Sequence, residues 1–341
     1  MIEIDGSEGE GGGQMLRSAL GLSTLTGEAF AITNIRAKRE KPGLAAQHLK
    51  AVQGVQTLSE SKVVGASIGS RELTFHPGKV IGGRHRLDIG TAGSITLVLQ
   101  ACLLSLARSE ERIELQVIGG TNVRWSPGVD YYQRVLFPLM RRLGARVEMR
   151  VARRGFYPEG GGEASLVIEP WEAHRPLVAE EQGVLRGIGG VCFSQNLPPH
   201  VCQRMKDAVR KRFLDTIPKI DTDEGEGPST GAGIQLWASY DNTLLGADSL
   251  GERGVPADKV GEAASVALRQ EIESQSTLDI HAADQLLPYL ALSKEPSHFY
   301  VREVSGHLTT QADLVKRFLG AEVIILPGRG KTQVKVLPSC T

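Results

Sequence analysis

Between residues 130 and 144, in DYYQRVLFPLMRRLG, apolar side chains recur at helical spacing: Tyr132, Val135, Leu136, Leu139, Met140 and Leu143. Pro138 falls inside this stripe, where its missing N–H predicts a kink. The surrounding order of segments recurs three times. A first helix is predicted in GGQMLRSALGLSTLTG (12–27), GSITLVLQACLLSLAR (93–108) and AADQLLPYLALSKE (282–295). A β-rich run follows each: AFAITNIR (29–36), RIELQVIGG (112–120) and HFYVREVSG (298–306). After a polar loop comes a second helix, in GLAAQHLKAVQGVQTL (43–58), in the 130–144 stripe and in QADLVKRFLG (311–320). Each unit then ends in two strands, clearest in AEVIIL (321–326) and TQVKVLP (332–338) around the turn PGRGK. LGARVEM and LGAEVII are near copies in which a glycine closes a helix before a strand. Three copies of β-α-β-α-β-β predict a repeated α/β unit rather than one doubly wound sheet.

The repeat is unevenly spaced: unit starts lie roughly eighty residues apart from first to second, and far more from second to third. The excess falls near 184–276 and has its own pattern. It comprises the strand GVLRGIGGVCF, the helix PPHVCQRMKDAVRKRFLD, the strand GAGIQLWASY and the helix ADKVGEAASVALRQEIES. This predicts a small inserted α/β domain, with the polar run KIDTDEGEGPSTGAG (219–233) as a mobile loop within it. The domain division is therefore 1–183 with 277–341, and 184–276.

Composition narrows the class. The 341 residues are 41% hydrophobic and 23% charged, ordinary for a soluble chain and long for one core. No apolar run approaches the roughly 18–20 residues needed to span a bilayer, so no membrane association is expected. The start, MIEIDGSEG, lacks the basic and apolar regions of a signal peptide. Four scattered cysteines (Cys102, Cys192, Cys202, Cys340) suit a reducing cytoplasm. Cys192, His200 and Cys202 lie close in sequence, but no fourth ligand is spaced to join them. Lys plus Arg equals Asp plus Glu at 39 each, so any nucleic-acid footprint is small, such as a chain end.

Three stretches carry candidate chemistry. GSEGEGGGQMLRS (6–18) matches neither the Rossmann nor the Walker glycine pattern. Its glycines let backbone N–H groups approach an anion, and Arg17 lies one turn into the helix. Glu8 or Glu10 fits beside a phosphate when a divalent cation bridges the two; a glycine turn with solvated acids is the plainer alternative. RAKREKPG (36–43) offers Arg36, Lys38, Arg39 and Lys41 as phosphate donors, followed by Gln47 and His48 on the next helix. Its chain position matches the polar loops GGTNVRWSPG (119–128) and VSGHLTT (304–310), so the three can converge on one site. His307 sits in SGHLTT before a helix expected to be capped by Thr309 or Thr310. A helix N-terminus there would keep the imidazole neutral and nucleophilic, although lone histidines are more often structural.

DGSEGEGGGQMLRSALGLS, IRAKREKPGLAAQHL, GSITLVLQ, RGFYPEGGG, ADQLLPYLAL and SGHLTT occur in this order, and the insert contains LPPHVCQR. In these motifs the chain closely resembles the RNA 3'-terminal phosphate cyclases, nearly end to end. The resemblance implies three units in the architecture of the enolpyruvyl transferases plus a small α/β insert. It implies ATP-dependent conversion of an RNA 3'-phosphate end to a 2',3'-cyclic phosphate. The route passes through a histidine–AMP adduct and an RNA-(3')pp(5')-adenosine intermediate, releasing pyrophosphate and AMP. The adenylated histidine corresponds to His307, and ATP contacts to Gln100, Pro127, His281, Ala282, Ala283, Asp284 and Gln285. RNA-phosphate contacts correspond to Arg17, Arg39, Gln47 and His48, and the ligand of Mg2+ or Mn2+ to Glu10. His281 departs from the family, where a tyrosine commonly faces the adenine. The oligomeric state stays open, a homodimer included. Two alternatives stand beside this reading: a non-catalytic cyclase-like scaffold in ribosome assembly, and an enolpyruvyl transferase on the same architecture.

Overall fold

The structure is a computed structural model that describes residues 1–90 and 92–339, so Cys340 lies outside the described residues. The first unit runs β1 (Ile2–Asp5), α1 (Gly13–Thr26), β2 (Phe30–Thr33), α2 (Ala46–Leu58), β3 (Lys62–Val64), β4 (Leu73–His76). The second runs β5 (Gly83–Asp88), α3 (Ile95–Ser105), β6 (Ile113–Gly119), α4 (Val129–Tyr131), a π turn (Tyr132–Leu136), α5 (Phe137–Arg142), β7 (Arg146–Arg153), β8 (Gly162–Glu169). Their sheets have one topology, β1-β2-β4-β3 and β5-β6-β8-β7. In each, the first two strands are parallel and the last two antiparallel. A parallel pair requires a crossover, which α1 and α3 supply.

A further sheet follows from β9 (Leu185–Gln195), α6 (His200–Arg212), β10 (Lys219–Gly225), β11 (Gly231–Tyr240), β12 (Leu244–Leu250) and α7 (Ala257–Glu273), in the order β10-β9-β11-β12. The third unit comprises α8 (Ile280–Leu290), β13 (Ser297–Val301), α9 (Gly306–Leu319), β14 (Glu322–Pro327) and β15 (Thr332–Leu337). Its sheet, β13-β15-β14, has three strands rather than the expected four. The missing first strand is reduced to a parallel bridge between Val178 and His298, held by His298 N–H to Leu177 O (2.8 Å) and Ala179 N–H to His298 O (3.0 Å). The segment 184–276 thus enters between the first strand position of unit three and its first helix.

Other expectations change in detail. Residues 219–225 form the edge strand β10, parallel to β9, and not a loop. KIDTDEG has little strand propensity, but β9 offers it an unpaired edge. Side chains anchor it: Lys206 Nζ donates to Thr222 Oγ1 (2.7 Å) and Arg154 pairs with Asp223 (2.7 Å). Its exposed charges also discourage further pairing at that edge. The kink expected at Pro138 takes the form of the π turn that precedes it. The helix expected from residue 311 begins at Gly306, capped by Ser305, whose hydroxyl accepts from Leu308 N–H (3.0 Å). His307 therefore lies inside the first turn, and neither Thr309 nor Thr310 is the cap.

The helices of different units share one core. α1 packs on α3 and α9, and α8 on α3 and α9. Gly21 allows the closest approach, since a Cβ there would lie 2.7 Å from Leu104 Cβ. The α3 sequence ITLVLQACLLS is apolar almost all round because it is covered on all sides, with Leu99 and Cys102 fully buried. A second core lies between the β9–β12 sheet and helices α6 and α7, around Met205, Ile234 and Leu268. Among the described residues no helix is long and apolar enough to cross a membrane.

Arg154, from RGFYPEGGG, ties the two cores together. Its guanidinium donates twice to buried Asp130 (2.7 and 2.9 Å), once to Asn122 (3.1 Å) and once to Asp223 on β10 (2.8 Å). It also lies 4.2 Å from the Phe193 ring centroid on β9. Removing it leaves the Asp130 carboxylate, 4% exposed, without its counter-charge. Arg154→Ala is expected to destabilise by about 3–5 kcal/mol in denaturant unfolding, with Asp130→Asn in the same chain restoring part of the loss. A cost below about 1 kcal/mol would show that the pair does not hold the cores together.

Candidate active site

Five helices present first-turn or cap residues to one cavity of about 990 Å3: Gly13 of α1, Gln47 and His48 of α2, Ser94 at α3, His281 of α8 and His307 of α9. This follows from the repeat, in which the first two strand positions of a unit run parallel, so the helices after both start at the same end of its sheet. Each N-terminus brings unpaired N–H groups and a partial positive charge, so their convergence favours an anion. Gly12 caps α1 with no side-chain hydrogen bond, which leaves that helix end open.

Arg17 and Arg39 add full charges. Arg17 is buried, and its Nε donates to Gln100 Oε1 (2.8 Å), which orients the carboxamide. Burial lowers its pKa to about 10, so it stays charged at neutral pH. Arg39 Nη2 donates to Glu10 Oε1 (2.8 Å). Of the other cations in the 36–41 loop, Arg36 also reaches the cavity, whereas Lys38 and Lys41 do not. Lys38 instead folds over the glycine loop, with Nζ donating to Gly9 O (3.0 Å). Gln47 Nε2 donates to Ser94 O (3.1 Å), joining units one and two.

His48 accepts the Ala45 N–H at Nδ1 (3.3 Å), so in its neutral form the proton sits on Nε2. Burial, and then Arg17, Arg36 and Arg39, push its pKa down to about 3. It is an uncharged donor at neutral pH. Gly13 is required beside it: a Cβ there would fall 1.9 Å from His48 Nε2 and 2.9 Å from Arg17 Nη1.

His307 is half-buried, with Nδ1 against the Glu10 carboxylate. The two meet at ion-pair range without hydrogen-bond alignment, so Glu10 Oε2 and His307 Nδ1 are both buried atoms lacking a hydrogen-bond partner among the described residues. Burial lowers the His307 pKa; Glu10 opposes this, and Arg17, His281 and Arg39 reinforce it. The net shift favours the neutral imidazole. Glu8 faces elsewhere, accepting from Arg317 Nη2 (2.9 Å). Of the two glutamates, Glu10 is the one in the cavity.

The α8 segment divides by helical period. His281, Asp284 and Gln285 line the cavity, whereas Ala282 and Ala283 turn into the hydrophobic core and do not reach it. Asp279 caps α8, accepting from His281 and Ala282 N–H, from the Tyr131 hydroxyl (2.7 Å) and from Gly246 N–H on β12 (2.9 Å). Burial and then the charge of Asp279 raise the Asp284 pKa well above the usual carboxylate range, while Arg17 opposes them. Pro127 lies on the same wall, its carbonyl accepting from Thr96 Oγ1 (2.6 Å). Cys192 and Cys202 are buried, with Cys192 Sγ 3.6 Å from Cys202 O, and His200 is exposed. Among the described residues no group of three or more His, Cys, Asp or Glu could hold a metal ion.

The β9–β12 sheet contributes wall residues that no local motif announced: Asp248, Leu250 and Glu252 from the end of β12 and the turn after it. Trp125 and Arg124 were also missed, although the polar loop that carries them was singled out. Asp248 has its pKa raised to about 6, first by burial, then by Asp130 and Asp279, with His281 opposing.

An acid whose folded pKa is raised from 3.8 to about 6 costs stability once ionised. Asp248→Asn is therefore expected to raise the melting temperature at pH 7.5. The gain should shrink as pH falls through 6 and vanish below about 4, where both carboxyls are protonated. A gain independent of pH would remove the charge of Asp248 as its cause.

The family model described as RNA 3'-terminal phosphate cyclase matches residues 8–325. Proteins named RNA 3'-terminal phosphate cyclase are similar over nearly their full lengths. The Methanopyrus kandleri protein is 46% identical over 340 residues, covering 97% of this chain and 96% of its own. The Archaeoglobus fulgidus protein is 44% identical over 326 residues, covering 95% and 97%. The Nitrosospira multiformis protein is 43% identical over 326 residues, covering 94% and 92%. With its repeated α/β units and a cavity built from their helix ends, the chain belongs to the RNA 3'-terminal phosphate cyclase family.

Proposed function

We propose that the protein uses ATP to convert an RNA 3'-phosphate end into a 2',3'-cyclic phosphate, with His307 as the residue that carries AMP. The observation that supports this most directly is a half-buried imidazole, its pKa lowered first by burial, in a cavity lined by helix N-termini and four arginines. Because Nδ1 faces Glu10, Nε2 is the nitrogen that attacks the α-phosphorus. A P–N bond forms, the bond to the β-phosphate oxygen breaks, and pyrophosphate leaves. A histidine suits this role because it is neutral at pH 7, whereas a lysine would need a strongly depressed pKa. Gln100, Asp284 and Gln285 hold the nucleotide, with its base toward Pro127 and His281. Ala282 and Ala283 support this wall from the core and make no contact.

The buried Oε2 of Glu10, which faces His307 Nδ1 without an aligned hydrogen bond, fits a cation bound through one carboxylate and substrate phosphates, the usual mode for Mg2+. Glu10 would hold Mg2+ or Mn2+, whose charge would offset that of the polyphosphate. In the second step Arg17 and Arg39 grip the RNA 3'-phosphate, with His48 and Gln47 as neutral donors. One of its oxygens attacks the AMP phosphorus, the P–N bond breaks, and RNA-(3')pp(5')-adenosine forms. Finally the 2'-hydroxyl attacks the RNA phosphorus and AMP leaves. Nucleophile and electrophile share one ribose, so this step requires little beyond positioning.

The same reading divides the chain into a catalytic part, 1–183 with 277–341, and an insert, 184–276. The second hydrophobic core supports that division. Three buried unpaired cysteines fit a cytoplasmic setting. A non-catalytic scaffold would not require a neutral histidine inside the cavity.

Incubation with α-labelled ATP and Mg2+ is expected to give acid-labile, alkali-stable protein label, absent in His307→Ala. Arg39→Ala should still accept label but transfer it to 3'-phosphorylated RNA about 10–100-fold more slowly, the value of a charge-assisted phosphate contact. Equal labelling of His307→Ala would remove His307 from the route. Equal loss in both steps would place Arg39 on ATP.

A further inference from the structure

Trp125 is 91% exposed, while Trp171 and Trp237 pack against the core. It is also one of the few non-glycine residues with positive φ, at 59°. A bulky residue in the left-handed region, with its ring in water, has no folding rationale of its own. The loop that presents it is nonetheless fixed on both sides. Thr121 N–H donates to Gly155 O (2.8 Å), Ser126 Oγ to Val123 O (2.8 Å), and the Pro127 carbonyl accepts from Thr96. Arg124 pairs through both terminal nitrogens with Glu252 of the insert (3.2 and 3.0 Å), and its guanidinium lies 4.9 Å from the Trp125 ring centroid. The result is a rigid aromatic and cationic platform at the rim of the cavity.

We propose that Trp125, backed by Arg124, stacks on a base at the 3' end of the RNA and holds it for reaction. The proposal rests on the cyclase reading above. Single-stranded RNA is held where unstacked bases lie against aromatic rings or guanidinium planes. Such stacking tolerates any base, because every base has a π face. It therefore suits an enzyme that acts on a chain end. The platform also resolves a difficulty of charge. A chain with 39 cationic and 39 anionic side chains has no net charge with which to hold a long phosphate backbone, so contacts other than charge add to the grip of Arg17 and Arg39 on the end. In the proposed route the ATP base has its own wall at Pro127 and His281, whereas the Trp125 ring is 91% exposed at the rim.

The test uses full-length protein, ATP and a short oligoribonucleotide with a 3'-phosphate. Trp125→Ala is expected to raise the KM for RNA about five- to 100-fold, the range for one stacked base, with little change in kcat. Trp125→Phe should stay near wild type, and the loss should not extend to labelling of the protein by ATP. An abasic site at one of the last two nucleotides should weaken the wild-type enzyme by a similar factor and Trp125→Ala hardly at all. An unchanged KM for RNA in Trp125→Ala, or equal losses from the abasic site in both proteins, overturns the proposal. A raised KM for ATP instead would assign the ring to the nucleotide. Failure of wild type to cyclise any RNA end would count against the cyclase reading itself.

Discussion

The arrangement on which the rest depends is the meeting of five helix N-termini around one cavity in a chain of zero net charge. The dipole of one helix end is worth only about 0.3–1 kcal/mol to an exposed anion. Several ends, with Arg17 buried among them and Arg39 at the opening, make a field that free side chains in water would not. The same field acts on the histidines. Burial first, and then neighbouring arginines, lower the pKa of His48 and of His307. In the proposed route one would serve as an uncharged donor and the other as the nucleophile, so the arginines that bind the anion would also favour the neutral form of both rings.

The convergence needs the units locked together, and polar contacts do much of this. Gln47 bridges from α2 to the start of α3, and Arg17 from α1 to Gln100 on α3. Asp279 gathers α8, Tyr131 and the β12 backbone at one carboxylate, and Arg154 joins the second unit to the edge strand β10 and its neighbour β9. Asp279 and Arg154 are buried charges with several partners each, costly to break and specific in geometry. They explain why the insert is more than an appendage. Its β12 end supplies Asp248 and Leu250 to the cavity wall, and Glu252 steadies the loop that carries Trp125.

Much of this was legible in the chain because the signals were local. The glycine loop at 9–13, the cationic loop at 36–41 and the SGH turn each state a backbone requirement beside a chemical group. The repeat placed the cationic loop and the SGH turn at equivalent positions, before the second helix of a unit, and the strand orders of units one and two repeat as expected. What failed was set by tertiary partners. KIDTDEG becomes a strand only because β9 and Arg154 are there to pair with it, and the first strand of unit three shrinks to a bridge at Val178. Asp248 has no motif around it, since the pairing of β12 with β11 alone carries it to the cavity. Ala282 and Ala283 were legible after all: on a helix with His281, Asp284 and Gln285 facing the cavity, the two alanines must face the core.

The central claim is that one covalently held AMP passes from His307 to the RNA end. It is tested most directly by isolating protein labelled with α-labelled ATP, removing free nucleotide and adding only 3'-phosphorylated RNA. The account predicts that label leaves the protein, appears transiently on the RNA and ends as free AMP, while the RNA terminus becomes resistant to phosphatase. Label that stays on the protein while added ATP drives cyclisation would contradict it.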